Sequence, residues 1–236
     1  MIKNNGIFIS FDGMEGTGKT TSINYIKNKI EEKVKNRECL ITKEPGSKLD
    51  IVCQRLRKLV LDPENDVDNE AEIYLYMSDR CQHVNKVIKP ALNRGEIVIT
   101  DRYIDSTYAY QGYGRRNGSK ESLEYMNYLN YKTTGGLLPD ITIILTVNPE
   151  VGLKRISKRK SEFQKHSLDR IEQEKIDFHY RLMKGFHDVY NQRKDRNIVL
   201  IDTTDLTVES QNKKIESIVF DFLESEGTIC TKNISI

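Results

Sequence analysis

The chain reads as an α/β fold, a five-stranded parallel sheet with helices on both faces. Three observations predict it. Apolar strand-like runs alternate with segments of helical period along the chain, as repeated βα units do. One run, ITIILTV at 141–147, is almost wholly apolar, which a strand covered on both faces requires. A Gly-rich segment after the first run leads straight into a helical stripe. With 236 residues, 37% hydrophobic and 31% charged, the chain holds one such domain, and a collagen-like, low-complexity or disordered protein is excluded.

The elements follow in order. Residues 7–11 (IFISF) form the first strand, ending at Asp12-Gly13. The helix after Gly18 carries Ile23, Ile26, Ile30 and Val34 on one stripe. Residues 39–42 are the second strand, closed by Pro45-Gly46, and residues 49–61 are helical up to Pro63. A longer helix at 69–93 has the stripe Ile73, Met77, Cys81, Val84 and Ile88, and Pro90 kinks or divides it. The third strand, 97–100, runs into Asp101-Arg102, after which Asp105 or Ser106 caps the next helix. QGYGRRNG reads as a Gly-rich turn before a helix at 120–131. After the fourth strand, 141–147, Pro149 opens a helix that enters a basic stretch at 154–170. Residues 169–193 are helical again, 198–201 are the fifth strand and 207–223 the last helix; the tail after about 224 lacks a period. The whole of 1–236 is expected to be a single domain.

Charge excludes some functions. Lys plus Arg total 37 against 35 Asp plus Glu, a net charge of +2, so no concentrated basic surface for coating nucleic acid is expected. No apolar run approaches the roughly 20 residues that cross a bilayer. The N-terminus has no signal-peptide apolar region, and a cytoplasmic protein is expected. Cys39, Cys53, Cys81 and Cys230 are scattered outside any CxxC pair, which fits isolated thiols in a reducing compartment rather than a zinc site.

Gly13-Met14-Glu15-Gly16-Thr17-Gly18-Lys19-Thr20 fits GxxxxGK(S/T) completely, between a strand and a helix. Glycines let the backbone turn several N–H groups toward phosphate oxygens, and the helix that follows adds the positive end of its dipole. Lys19 then meets the β- and γ-phosphates, and Thr20 and Asp101 are the candidate ligands of Mg2+. The motif marks a nucleoside-triphosphate site. With no NKxD segment for a GTPase, and too short a chain for most helicases and transporters, a small P-loop kinase remains. Arg102 stands just after a strand end, where α/β sheets gather ligands, and can neutralise an acceptor phosphate beside the donor's γ-phosphate. Tyr76 and Arg80, four apart on a helix, share a face that can stack on a base and read its edge.

The ordered set GMEGTGKTT, KEPG, the SDR ending at Arg80, DRYIDSTYAYQG, GLLPDITIIL and LDRIEQE resembles the bacterial thymidylate kinases over roughly residues 6–223. The resemblance implies a nucleoside monophosphate kinase-like P-loop fold. It also implies ATP-dependent, Mg2+-requiring phosphorylation of dTMP to dTDP for dTTP biosynthesis, by a homodimer. It places Arg102 and Arg57 on the acceptor phosphate, Tyr76 in the thymine-stacking position and Arg80 on a thymine carbonyl. Thr107 and Gln111 fall at base-contacting positions, and Tyr110 where it crowds the sugar's 2′ position. Glu15 falls near the sugar 3′-hydroxyl or the metal and phosphates, and Glu44 matches the acid of the family's REPGGT motif. Here that motif reads Lys43-Glu44-Pro45-Gly46-Ser47-Lys48, without the second Gly and the Thr.

Some relatives carry Arg just after the P-loop acid, where this chain has Gly16. The missing charge is expected from a basic lid at about 154–170, with Arg159 and Arg170 the leading contributors and Lys158 behind them. Arg170 is also expected to pair with Glu172 or Glu174, and Gly16→Arg to restore part of the rate where Arg159 and Arg170 are both replaced by Ala. The alternatives are another deoxynucleotide or deoxynucleoside kinase on the same scaffold, or a non-catalytic nucleotide-binding module, against which the intact Lys19, Thr20 and Arg102 speak.

Overall fold

A computed structural model describes residues 6–163 and 170–228, without the side chains of 159–163. Its five strands are β1 (Ile7–Gly13), β2 (Cys39–Lys43), β3 (Ile97–Asp101), β4 (Ile141–Thr146) and β5 (Ile198–Asp202), in one parallel sheet of order β2-β3-β1-β4-β5. The helices are α1 (Lys19–Lys33), α2 (Ile51–Leu61), α3 (Asn69–His83), α4 (Lys89–Asn93), α5 (Ile104–Thr107), α6 (Lys120–Thr134), α7 (Pro149–Phe163), α8 (Ile176–Gln192) and α9 (Val208–Ser225). The sheet is the predicted one, and each expected strand is present within two residues at either end.

Side-chain alternation builds the layers. Ile9, Phe11, Ile97, Ile99, Ile143 and Leu145 point to one face, where Ile23, Ile26 and Ile30 of α1 and Ile215, Val219 and Leu223 of α9 cover them. Phe8 and Val98 point to the other face and meet Ile88, Ala91 and Leu92, while Ile144 meets Phe178, Leu182 and Phe186 of α8. Both faces are thus sealed, and polar groups gather at the strand ends. Among the described residues no helix is long and apolar enough to cross a membrane.

Four local expectations are corrected. The 69–93 helix is not broken at Pro90. A π-helical turn, Val84–Ile88, precedes it, and the N–H of Lys89 reaches back five residues to Val84. The wider turn carries the chain past a residue that has no N–H to give. QGYGR is not a turn but part of a π-helix, Tyr108–Arg115. Its Gly114 is there for close packing: a Cβ would lie 2.6 Å from the Phe178 ring on α8. Helix α8 begins at Ile176 rather than 169, because residues 170–174 are held in turns by side chains from elsewhere in the fold.

The fourth correction concerns the cap after β3. Neither Asp105 nor Ser106 caps α5. Asp12 of β1 does so from outside the helix, its Oδ1 accepting from the N–H groups of Tyr103 (3.1 Å) and Ser106 (3.0 Å) and from the Ser106 hydroxyl (2.6 Å). Asp105 instead takes both ends of the Arg196 guanidinium at 2.7 Å. A buried carboxylate is thereby matched by a bidentate cation.

Candidate active site

The C-terminal ends of β1, β2 and β3 open into a cavity of about 350 Å³. The connections leave β1 on one side toward β3 and β2 and on the other toward β4 and β5, so the crevice lies at the switch point of the sheet. The phosphate loop fills one end of it. Gly13, Gly16 and Gly18 have φ of 133°, 75° and 79°, a backbone that only glycine adopts without strain. Met14 is buried beneath the loop, and Thr17 closes it with a hydroxyl bond to the Met14 carbonyl at 2.8 Å. The Lys19 ammonium lies within the loop, donating to the carbonyls of Gly13 (3.0 Å) and Met14 (2.7 Å). Burial and the neighbouring Arg102 push its pKa down to about 8, against the pull of Asp101 and Glu15. The Thr20 hydroxyl donates to Asp101 Oδ2 at 3.2 Å, so the two candidate metal ligands stand together at the cavity wall.

Arg102 crosses from β3 to the loop. It donates to the Gly13 carbonyl (2.6 Å), to Glu15 Oε1 (2.6 Å) and to Ser106 Oγ (3.3 Å), and it lies 4.7 Å over the Tyr110 ring. Its backbone φ of 74° is strained for a side chain with a Cβ, the kind of cost found where geometry serves a site. Its carboxylate partner is Glu15. Glu15 Oε1 also accepts from the Tyr110 hydroxyl at 2.5 Å, while Oε2 is buried with no protein partner among the described residues. Burial alone would raise the Glu15 carboxyl, but Arg102, Lys19 and Tyr110 together hold it below its usual value.

The other end of the cavity is lined by Glu44, Arg57, Tyr76, Arg80, Thr107 and Gln111. Arg80 is almost entirely committed to the protein. Nε donates to Glu44 (2.8 Å), Nη1 to Thr107 Oγ1 (2.5 Å) and Asn130 (2.6 Å), and Nη2 to the Tyr103 carbonyl (2.9 Å). Among the described residues only one of its five N–H groups is left over. Glu44 also accepts from His83 Nδ1 at 2.9 Å; burial raises this carboxyl, and Arg80 and His83 outweigh that to hold it low. Arg57 donates to the Pro45 carbonyl at 2.8 Å, so the altered KEPGSK turn still brings it to the same wall.

The lid residues are placed less uniformly. Arg155 of α7 reaches the Gly16 carbonyl (3.4 Å) and the carbonyls of Thr203 and Thr204 (2.9 Å each), tying the lid helix to the phosphate loop and the end of β5. The side chain of Arg159 and residues 164–169 lie outside the described residues. Arg170 turns away from the loop, to the carbonyls of Val60 and Val67 and to Glu72. The expected pairing with Glu172 or Glu174 is corrected: Glu174 belongs to Arg115. The idea of an Arg at 16 is corrected too, because a Cβ there would lie 2.4 Å from the Gly152 carbonyl of α7. Gly16→Ala is accordingly expected to cost at least about 1 kcal/mol through its left-handed backbone alone. A thermal melt that left Tm unchanged would contradict this packing.

Asp12, Glu72 and Arg115 were not expected from the sequence, and Arg155 was expected only as one of the basic residues of the lid. A signal for Glu72 existed: the spacing that puts Tyr76 and Arg80 on one face of α3 also includes position 72.

Comparison with known proteins agrees with this arrangement. The thymidylate kinase family profile matches residues 11–215. A thymidylate kinase of Lactobacillus delbrueckii subsp. bulgaricus is 42% identical over 202 residues, 85% of this chain and 90% of the relative. One of Maridesulfovibrio salexigens is 39% identical over 222 residues, 92% and 99% of the two chains. One of Carboxydothermus hydrogenoformans is 42% identical over 191 residues, 81% and 87%.

Proposed function

The chain belongs to the thymidylate kinase family and is a dTMP kinase, and from that premise we propose how its own residues divide the work. The observation that carries the reading is a single cavity lined at one end by the phosphate loop with Lys19 and at the other by Tyr76, Arg80 and Gln111. Arg102 and Glu15 stand between them.

ATP, the donor the family implies, lies along Gly13–Thr20, its phosphates held by loop N–H groups, the α1 N-terminus and the Lys19 ammonium. The oxygen donors Thr20 and Asp101 suit Mg2+ and would hold it at the cavity wall. When bound, the ion would supply neutralisation of the phosphate charge. The dTMP phosphate meets Arg102 and Arg57. Its base stacks on Tyr76 and is read by Arg80, Thr107 and Gln111, with Glu44 fixing Arg80. The unpartnered Glu15 Oε2 accepts from the sugar 3′-hydroxyl, and Tyr110 closes off the 2′ side. The acceptor phosphate oxygen attacks the γ-phosphorus and ADP leaves, with no covalent intermediate.

Arg155 anchors the lid, and Arg159 supplies charge on closure. In the arrangement described, Arg170 holds the segment after the lid to α2 and α3, so a direct phosphate contact by Arg170 requires exchange of its Glu72 bond. The chain acts as one domain in the cytoplasm. A homodimer through α3 and α6 is supported by Tyr74, Tyr128 and Tyr131, which leave large exposed aromatic surface on these two packed helices.

Arg80→Ala tests the division of the cavity. It is expected to weaken dTMP by about 1.5–3 kcal/mol, the worth of a hydrogen bond from a charged donor. ATP affinity should change little. Isothermal titration of each nucleotide separately checks this, and equal weakening of both would remove Arg80 from the acceptor side.

A further inference from the structure

Glu72 is a fully buried acid on α3 whose one role so far is to hold Arg170. Its Oε1 accepts from Gln111 Nε2 (3.1 Å) and Arg115 Nε (3.2 Å), and its Oε2 from Arg115 Nη2 (3.1 Å) and from Arg170. As the partner of two guanidinium groups it acts as a carboxylate, and a carboxylate only accepts.

The consequence falls on Gln111. Turning a glutamine amide by 180° exchanges its oxygen for its NH2 with almost no change of shape, so the surrounding hydrogen bonds decide which end points where. Beside Glu72 only Nε2 can face the acid, and Oε1 is the end left for the cavity that Gln111 lines. Arg80 is fixed in the opposite sense, since its one uncommitted N–H can only donate. Gln111 therefore presents an acceptor and Arg80 a donor, neither of which can be inverted, beside a Thr107 hydroxyl that accepts from Arg80. Thymine brings a donor at N3–H and an acceptor at O4. Cytosine brings the reverse, an acceptor at N3 and an amino donor at N4.

We propose that Glu72 is a positioning residue for base selection: by holding the Gln111 amide with its oxygen toward the base, it makes the pocket reject amino pyrimidines. An amide free to turn would accept either edge at N3, and the discrimination carried by that atom would be lost. The inference rests on the placement of Gln111 against the base proposed above.

The test compares kcat/KM for dTMP, dUMP and dCMP, with a thermal melt for every variant. In Glu72→Gln the acid becomes an amide that can face Gln111 with either end. The dTMP-to-dCMP ratio is expected to fall by at least about tenfold, a fraction of what a site built around a hydrogen bond can reject. The dTMP-to-dUMP ratio is expected to stay, because the two bases share the same edge. Simple loosening of the pocket would move both ratios together, and that result, or an unchanged dCMP ratio in folded protein, overturns the proposal.

Removing one charge beside two buried arginines can unfold the chain. The double variant Glu72→Gln/Gln111→Glu keeps a carboxylate among Arg115, Arg170 and the base, and every rotamer of that carboxylate offers oxygen to N3–H. It is expected to fold and to keep the wild-type preference for dTMP over dCMP; loss of that preference overturns the proposal even if the single variant cannot be purified. Gln111→Met separates the two levels of the argument. It is expected to lower kcat/KM for dTMP. An unchanged value would show that Gln111 does not touch the base, so the placement fails and the Glu72 role falls with it.

Discussion

Lys19→Met is expected to lower kcat by at least about 100-fold, the loss that follows removal of one charge-stabilising group from a preorganised site. Methionine keeps the length and apolar stem of the side chain and removes only the ammonium. The pH dependence gives a second readout. In the free enzyme Lys19 has its pKa pushed down to about 8 by burial and by Arg102. The charged form is the one that binds phosphate, so kcat/KM for ATP is expected to fall as pH rises through about 8, and this limb should be missing in Lys19→Met. Stability moves the other way. Between about 8 and the ordinary lysine value of 10.5 the unfolded chain holds a proton that the folded chain lacks, so folding gains as pH rises across that window. Lys19→Met should melt without that gain. A variant that retained wild-type turnover would remove Lys19 from the phosphate site.

Arg102→Ala should cost as much or more, on the order of 10²–10³ in kcat, because the charge between the two phosphates is lost. Its effect is compounded by Glu15. The carboxylate would lose its ion pair while remaining buried, and two acceptor-side contacts would be disturbed by one change. A comparison with Arg102→Gly separates catalysis from folding. The backbone φ at this position is 74°, so glycine relieves a strain that alanine keeps, worth about 1–2 kcal/mol. Both variants should be equally inactive, and Arg102→Gly should melt at the higher temperature. Equal melting points would show that the strained backbone costs nothing, and near-normal turnover in either would move the phosphate role elsewhere.

The strands were legible because their apolar runs are continuous, and the phosphate loop because its chemistry depends on spacing over eight neighbouring residues. Tyr76 and Arg80 were legible as a pair because helix geometry is local. What escaped depends on partners distant in sequence. Glu72 looks like any helix glutamate until Arg115 and Arg170, 43 and 98 residues away, close over it. Asp12 ends a strand, and nothing beside it announces that it caps a helix starting at 104. Gly114 reads as a turn residue because its packing partner, Phe178, belongs to a later helix. Arg170 looked like a lid cation because its run of basic neighbours is local, whereas the carboxylate it meets is on α3.

The most direct measurement of the central claim is coupled ADP release from ATP and Mg2+ with a panel of acceptors: dTMP, dUMP, dCMP, dGMP, TMP with a ribose sugar, and thymidine. The account predicts the highest kcat/KM for dTMP. It predicts weaker turnover of dUMP, which lacks the methyl group, rejection of dCMP by the polarity of the base wall and of the ribose form by Tyr110, and none of thymidine, which brings no phosphate to Arg102. Thymidine or dCMP accepted as well as dTMP would contradict it.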